Sequence, residues 1–417
     1  MSLQTIYVYE RWSSLQPVLM GSLFTDTLRG KESCSFEYDT SWLKKHIGQY
    51  FPDPDLRLCR GRQYAPKNKS LFGIFADSIP DRWGRMLMRR REAIMASREG
   101  RKPNKLSETD YLLGVPDEGR KGALSFSVQE GGPFLSCDSD MAAPPWQALR
   151  ELEAASLAFE QDEDSLSDKW LRKLLAPGSS LGGARPKATV RAPDGTLWIA
   201  KFPSRHDEHN TGAWEQAVHE LARICGLSVP ESKLTRFSAA GATFLLKRFD
   251  RDGMRRIHFS SAMSLLGQTD GASGSSYLDI ADFITMAGTA PREDLAELWQ
   301  RIVFSMAVSN TDDHLRNHGF LLTENGWRLS PMYDVNPVPY GETLSLNVVP
   351  DDPRIDLDLA LEVAPFFRLT ADDAEIRAKK ILTTVRKQWR DIAAACGLNR
   401  EEQNKMAPAF ALSENLG

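Results

Sequence analysis

Apolar and polar residues alternate in short runs at the start of the chain, at Ile6 to Tyr9, Pro17 to Leu23 and Ser35 to Tyr38. Turn residues separate these runs, which predicts strands. The pattern then changes to a basic helical segment, RWGRMLMRRREAIMASRE, from Arg82 to Glu99, so residues 1–130 read as a small α+β unit. Arg89, Arg90 and Arg91 within it read as a solvated helix face rather than a phosphate-binding one. Residues 131–145 (GGPFLSCDSDMAAPP) are rich in Gly, Pro and Ser and read as a linker. After it, PPWQALRELEAASLAFEQ and DEDSLSDKWLRKLL predict two helices, and APGSSLGGARPK breaks the pattern. The runs ATVRA and TLWIAKF, joined by Pro-Asp-Gly, predict a β-hairpin. A period of two puts Leu197, Ile199 and Lys201 on its inward face.

A helix follows, WEQAVHELARICGL, with Ala217, Leu221 and Ile224 as its apolar positions and Gly226 as its stop. The strand ATFLLKRFD comes next. Beyond residue 250 the spacing is mostly helical, in SSAMSLLGQ, YLDIADFITMAG, LAELWQRIVFSMAVSN and DDAEIRAKKILTTVRKQWRDIAAACG. No internal repeat or low-complexity tract interrupts it. The expected organisation is an N-terminal subdomain at 1–130, a sheet-rich lobe at 145–246 and a helical lobe at 247–417.

Composition narrows the class without naming a function. A chain of 417 residues is long enough for two or three domains. Its formal net charge of -4 offers no global basic field for nucleic acid, so contact with DNA is expected only through a local patch or a partner. Five scattered cysteines without a CxxC pair fit a reducing compartment and argue against a zinc site. The N-terminus lacks a signal pattern and no apolar run reaches membrane-spanning length, so the expected location is cytoplasmic, with no membrane partner.

Chemistry concentrates in SNTDDHLRNHGFLL, residues 309–322. Asp312 and Asn317 stand in the D-x-x-x-x-N spacing that protein-kinase catalytic loops also use. A loop of that length can aim the aspartate at a substrate hydroxyl while the asparagine carbonyl turns toward Mg²⁺. Past a short hairpin, MYDVNP supplies Asp334 as a second oxygen ligand. Upstream, Gly178, Gly182 and Gly183 precede a strand and can bring backbone N–H groups close to phosphates, although the Walker A pattern fails. Lys201 on the hairpin could bridge phosphates, with Glu215 on the next helix as its ion-pair partner. The strand from Leu245 to Asp250 is placed to act as a hinge whose backbone meets an adenine ring. Taken singly each feature has an ordinary structural explanation; their order along the chain is that of a kinase.

The same segments resemble a known family, the HipA toxin kinases of bacterial type II toxin-antitoxin systems. FGIFADSIPDRWGR and DYLLGVPDEGRKGALSF resemble its N-terminal part, and SSLGGARPKA, AKFP, LLKRFDR, SNTDDHLRNHGFLL and LSPMYDVNP resemble its core signatures. The resemblance implies an α+β, protein-kinase-like two-lobed fold with an added N-terminal α+β subdomain and a mainly helical C-terminal lobe. It implies ATP held by Gly182, Gly183, Ala184, Arg185, Pro186 and Lys187, by Lys201, by Lys247, Arg248 and Phe249, by His314, Leu315, Arg316 and Asn317, and by Tyr333 and Asp334. Asp312 matches the catalytic aspartate, and Asn317 with Asp334 the Mg²⁺ ligands. Ser180 falls where members of the family carry a serine phosphorylated in trans, which shuts the enzyme off; a phosphate inside a phosphate-cradling loop would repel ATP.

The implied activity is serine/threonine protein phosphorylation of an aminoacyl-tRNA synthetase, with the glutamyl enzyme as first candidate, halting translation and inducing dormancy. The implied partner is a small helix-turn-helix antitoxin that carries the kinase to operator DNA. This chain departs from the family at Arg185-Pro186, where the proline removes an N–H and stiffens the turn, and at Lys247, where Glu is common. Alternatives are a kinase-fold enzyme with another protein or small-molecule substrate, and a metal-dependent hydrolase using Asp312, Asp313, His314 and His318. In the kinase reading Asp313 and His318 are structural.

Overall fold

The computed structural model describes residues 4–28, 31–46, 52–135, 143–161, 174, 183, 185–271 and 274–415. The helix expected over DEDSLSDKWLRKLL lies outside them apart from Leu174, as do Gly178, Ser179, Ser180, Gly182 and Ala184. Two compact units emerge: Met1–Arg205 with Lys247–Thr269 and Leu321–Gly326, and His206–Leu246 with Asp270–Phe320 and Trp327–Gly417.

The first unit opens with an antiparallel sheet of five strands: β1 (Gln4–Glu10), β2 (Val18–Leu28), β3 (Lys31–Tyr38), β4 (Gln63–Tyr64) and β5 (Leu124–Ser127), ordered β4-β3-β2-β1-β5. Ile6 faces Leu23, and Leu23 faces Phe36, so the predicted alternation becomes a row of fully buried side chains. The basic helix spans Arg82–Arg98 and starts where Asp81 accepts a hydrogen bond from the Gly84 N–H, the usual device for satisfying a first-turn donor.

Strands β6 (Lys187–Arg191) and β7 (Leu197–Lys201) form the predicted hairpin. Asp194 fixes its turn by accepting from the N–H and hydroxyl of Thr196, and Gly195 takes φ +84°, a conformation open to glycine. The inward-face expectation needs one correction: all five residues of β7 are buried, not alternate ones. Trp198 on the opposite face packs edge-on against Trp146, so both faces of the strand are covered.

A buried ionic knot joins two distant segments of this unit. Asp250 accepts from Arg248 Nε at 2.9 Å and Nη2 at 2.6 Å, from Arg251 Nη1 at 2.9 Å and from the Gly122 N–H at 2.7 Å. Arg248 also donates to the carbonyls of Gly119 and Arg120.

The second unit is mainly helical, with helices Thr211–Cys225, Tyr277–Ala287, Pro291–Ala307 and Ala371–Ala395 and the strand pair β8 (Ser232–Ser238) and β9 (Gly241–Lys247), which pair over residues 232–246. Gly226 ends the first helix in the left-handed region, φ +90°, as its position suggested. Ile224 is a second correction: it is exposed, because the buried stripe runs through Trp214, Ala217, Val218, Leu221, Ala222 and Cys225. That is the i, i+3, i+4, i+7, i+8, i+11 series, and Ile224 stands off it. Trp389 stacks on Phe410 with ring centroids 4.3 Å apart, beside Trp214, at the centre of this core. Among the described residues no helix is long and apolar enough to cross a membrane.

Candidate active site

The D-x-x-x-x-N stretch is irregular backbone in the second unit, entered from the buried end of the helix Pro291–Ala307. Ser309 leaves that helix at φ +50°, a region costly for a residue with a side chain, and such backbone persists only where its surroundings hold it. Asn310, 1% exposed, supplies part of that hold. Its N–H returns to the Ser305 carbonyl at 2.8 Å and its Oδ1 accepts from the Asn336 N–H at 3.2 Å. The two signature loops are therefore fastened by asparagine.

Within the loop, Asn317 donates its N–H to the His314 carbonyl at 2.8 Å and its Nδ2 to the Asp312 carbonyl at 3.1 Å. The side-chain amide of the last residue thus closes the loop on its first. This uses the nitrogen and leaves the carbonyl: Asn317 Oδ1 is buried with no hydrogen-bond partner. A buried acceptor left unmatched costs roughly 1–3 kcal/mol, a penalty that a ligand can remove. Asp312 is exposed, whereas Asp313 beside it is 3% exposed.

Tyr333, placed by resemblance at the nucleotide, donates its hydroxyl to the Arg316 carbonyl at 2.7 Å and so ties the MYDVNP loop to the D-x-x-x-x-N loop. Asp334 follows at φ +59°, half-buried. Arg316 is exposed with Nη1 3.4 Å from Asp270, Leu315 is buried, and His314 is half-buried with Nδ1 lacking a hydrogen-bond partner. Gly341 packs so close that an added Cβ would lie 2.4 Å from Thr311 Cγ2. Val338 and Ser345 donate their N–H groups to the carbonyls of Ser309 and Thr311, at 3.0 and 2.9 Å. Glu215, on the helix Thr211–Cys225, is 3% exposed.

In the first unit, Lys187 and Lys201 stand directly opposite in the β6–β7 register, 3% and 5% exposed. Lys187 Nζ lies 2.9 Å from Asp81 Oδ2 and donates to the Gly183 carbonyl at 3.1 Å. Asp81 thereby caps one helix and neutralises a buried ammonium. Arg185 and Pro186 precede the strand, and Phe249 meets Phe259 at 6.1 Å. The Arg248 side chain belongs to the ionic knot with Asp250, while its N–H donates to the Leu197 carbonyl. Lys247 is half-buried.

The donor set fits the implied metal. Mg²⁺ takes oxygen ligands, chiefly one or two carboxylates with phosphates, and the orphaned Asn317 carbonyl is the kind of atom it would complete. Asn317 and Asp334 would hold it. Among the described residues no group of three His, Cys, Asp or Glu side chains could hold a metal ion by themselves. His314 and His318 share no helix face, because residues 311–318 form no helix.

Comparison with known proteins decides the family. The family model of the HipA-like C-terminal domain matches residues 179–407. The chain belongs to the HipA-like family. A Sinorhizobium fredii relative, the candidate kinase Y4dM, is 27% identical over 347 residues, spanning 78% of this chain and 76% of that protein. A candidate kinase of Haemophilus influenzae is 28% identical over 188 residues, spanning 40% of this chain and 54% of that one. The HipA-like fold extends over nearly the whole molecule: a Shewanella oneidensis MR-1 toxin-antitoxin complex of HipA, HipB and its operator DNA matches with TM-score 0.66 and 16% identity, covering 99% of this chain and 97% of that one. The α+β fold expected from the sequence is therefore the one observed.

Sequence reasoning did not find Tyr277, Asn310 or Asp81, each of which holds a signature residue from outside its motif. Asn310 sits within the quoted stretch, but its role depends on Asn336, 26 residues away. Tyr277 opens an ordinary amphipathic helix and carries no local signal of its contact with Asp313, 36 positions on.

Proposed function

We propose that this chain is an ATP-dependent serine/threonine protein kinase and the toxin of a type II toxin-antitoxin system, with an aminoacyl-tRNA synthetase as substrate, the glutamyl enzyme first. The observation that carries the kinase reading is the closed Asp312–Asn317 loop with an exposed aspartate at one end and an orphaned buried carbonyl at the other. Asp312 orients the acceptor hydroxyl and takes its proton as the oxygen bonds to the γ-phosphorus and the bond to the β–γ bridging oxygen breaks, releasing ADP. Mg²⁺, held by Asn317 and Asp334, would supply neutralisation of the phosphate charge. Lys201, supported by Glu215, and the loop segment of Gly183, Arg185, Pro186 and Lys187 bind ATP phosphates, with the Lys187 ammonium held by Asp81 as a brace of that loop, and the backbone of 247–249 meets the base. His314 and Arg316 add polar contacts to the phosphates.

Gly182 and Ala184 complete the phosphate loop in this reading, and phosphorylation of Ser180 switches the enzyme off by adding about two negative charges there. A helix-turn-helix antitoxin carries the chain to operator DNA; support comes from the Shewanella HipA, whose solved complex contains HipB and operator DNA. The net charge of -4 favours a route to DNA through a partner.

The test is transfer of radiolabelled γ-phosphate from ATP to a panel of purified synthetases. Wild type labels one of them in a Mg²⁺-dependent way, and Asp312→Asn loses at least about 100-fold of that rate, within the range that removal of a general base costs. Asp312→Asn that labels as fast as wild type would sink the assignment.

A further inference from the structure

We propose that Tyr277, Asp313 and His318 form a buried lock that positions the Asp312–Asn317 loop, acting through the loop and never on substrate. The lock rests on the kinase reading of that loop and adds residues to it.

All three side chains are withdrawn from solvent, at 0%, 3% and 2% exposure. The Tyr277 hydroxyl donates to Asp313 Oδ2, and His318 Nε2 stands 3.1 Å from each oxygen of the same carboxylate. The Tyr277 ring meets the His318 ring edge-on at 5.4 Å. Burying a carboxylate is expensive unless donors compensate it, and here a hydroxyl and an imidazole do so. Burial opposes the charge of Asp313, yet His318 and Tyr277 outweigh it and hold the carboxyl below its ordinary range.

The sequence positions explain why the chain keeps such a costly group. Asp313 directly follows Asp312, and His318 directly follows Asn317. A single carboxylate therefore grips the loop immediately inside its first chemical residue and immediately outside its last. With Asp313 turned inward, its neighbour Asp312 is left exposed. Tyr277 then anchors the grip to the helix Tyr277–Ala287. Apolar residues of the same size would fill the space as well, but packing is non-directional, whereas the hydrogen bonds of Tyr277 and His318 Nε2 to Asp313 fix one arrangement, even though His318 Nδ1 is left without a partner.

Three variants of the full chain separate positioning from mere stability: Tyr277→Phe, Asp313→Asn, and the apolar triple Tyr277→Phe/Asp313→Leu/His318→Phe. Hydrogen exchange of the amides at 312–317 and ATP-dependent phosphate transfer are read on each. The lock predicts faster exchange confined to this loop in both single variants, and kcat lowered about 10- to 100-fold with KM for ATP within about threefold. The triple variant regains the melting temperature of wild type without regaining kcat. Unchanged loop protection in Asp313→Asn overturns the lock, and so does a triple variant with wild-type kcat. A wild-type chain that transfers no phosphate while Asp313→Asn still loosens the loop would leave the lock standing and remove the kinase reading.

Discussion

Replacing Asp250 by Asn tests whether Arg248 serves the fold or the nucleotide. The substitution keeps the size of the side chain and removes its charge. Asp250 and Arg248 are 4% and 7% exposed, and the carboxylate accepts four N–H donors, three of them from Arg248 and Arg251. Its carboxyl is held far below the ordinary aspartate range: burial opposes the charge, and the two guanidiniums overcome it. Asp250→Asn leaves both guanidiniums without their counter-ion, and breaking a buried pair in this way costs about 3–5 kcal/mol. With a urea m-value of about 3 kcal/mol/M, the midpoint falls by about 1–1.7 M. The assay is urea unfolding followed by tryptophan fluorescence, repeated for Arg248→Met and for the double variant Arg248→Met/Asp250→Leu.

Because the two residues share one network, their effects should be strongly non-additive, with the double variant more stable than the sum of the singles by at least about 1 kcal/mol. Arg248→Met should also leave ATP affinity within about twofold, since its guanidinium is spent on Asp250 and the carbonyls of Gly119 and Arg120. Additive losses, or a tenfold loss of ATP affinity in a variant that remains folded, would refute the structural assignment of this side chain.

Two further outcomes follow from single buried contacts. His258 is buried against Trp12 and its pKa is lowered to about 4 by that burial, with Asp77 acting weakly the other way. The unfolded chain takes up this proton below about pH 6.5 while the folded chain excludes it, so stability falls as pH drops from about 6.5 to about 4, by up to roughly 3 kcal/mol. Urea midpoints of wild type and His258→Phe should diverge across that window in favour of the variant; parallel profiles would rule the histidine out as the cause. Gly341→Ala forces a methyl to within 2.4 Å of Thr311 Cγ2 and 2.9 Å of Ser309 Oγ. Overpacking of this kind costs about 1–3 kcal/mol, so the melting temperature should drop by a few degrees, and Thr311→Ser, which deletes Cγ2, should restore part of it; no recovery would place the strain elsewhere.

What could be read in the chain alone was whatever depends on neighbours within a few positions. Hydrophobic spacing located β1, β2 and β3 of the N-terminal sheet but not the short β4 and β5, and it located the β6–β7 hairpin and the long helices, because a period of two or 3.6 is enforced residue by residue. The strand β8 escaped, since none of its residues is buried and it therefore bears no apolar alternation. The spacing of Asp312 and Asn317 was equally legible, and the amide that closes the loop between them is a local consequence of that spacing.

Tertiary structure decided which of several similar polar groups are buried against partners and which are exposed. Asp312 and Asp313 are the same residue type in adjacent positions, yet one is exposed and the other buried against Tyr277 and His318. Likewise Lys187 is matched to Asp81, 106 positions away, and Arg248 to segments 128 and 129 positions away. A buried charge is tolerated only where a partner meets it, and which partner arrives is set by the packing of distant segments. Sequence determined the chemistry this protein carries; the fold determined which atoms of that chemistry are buried and which face solvent.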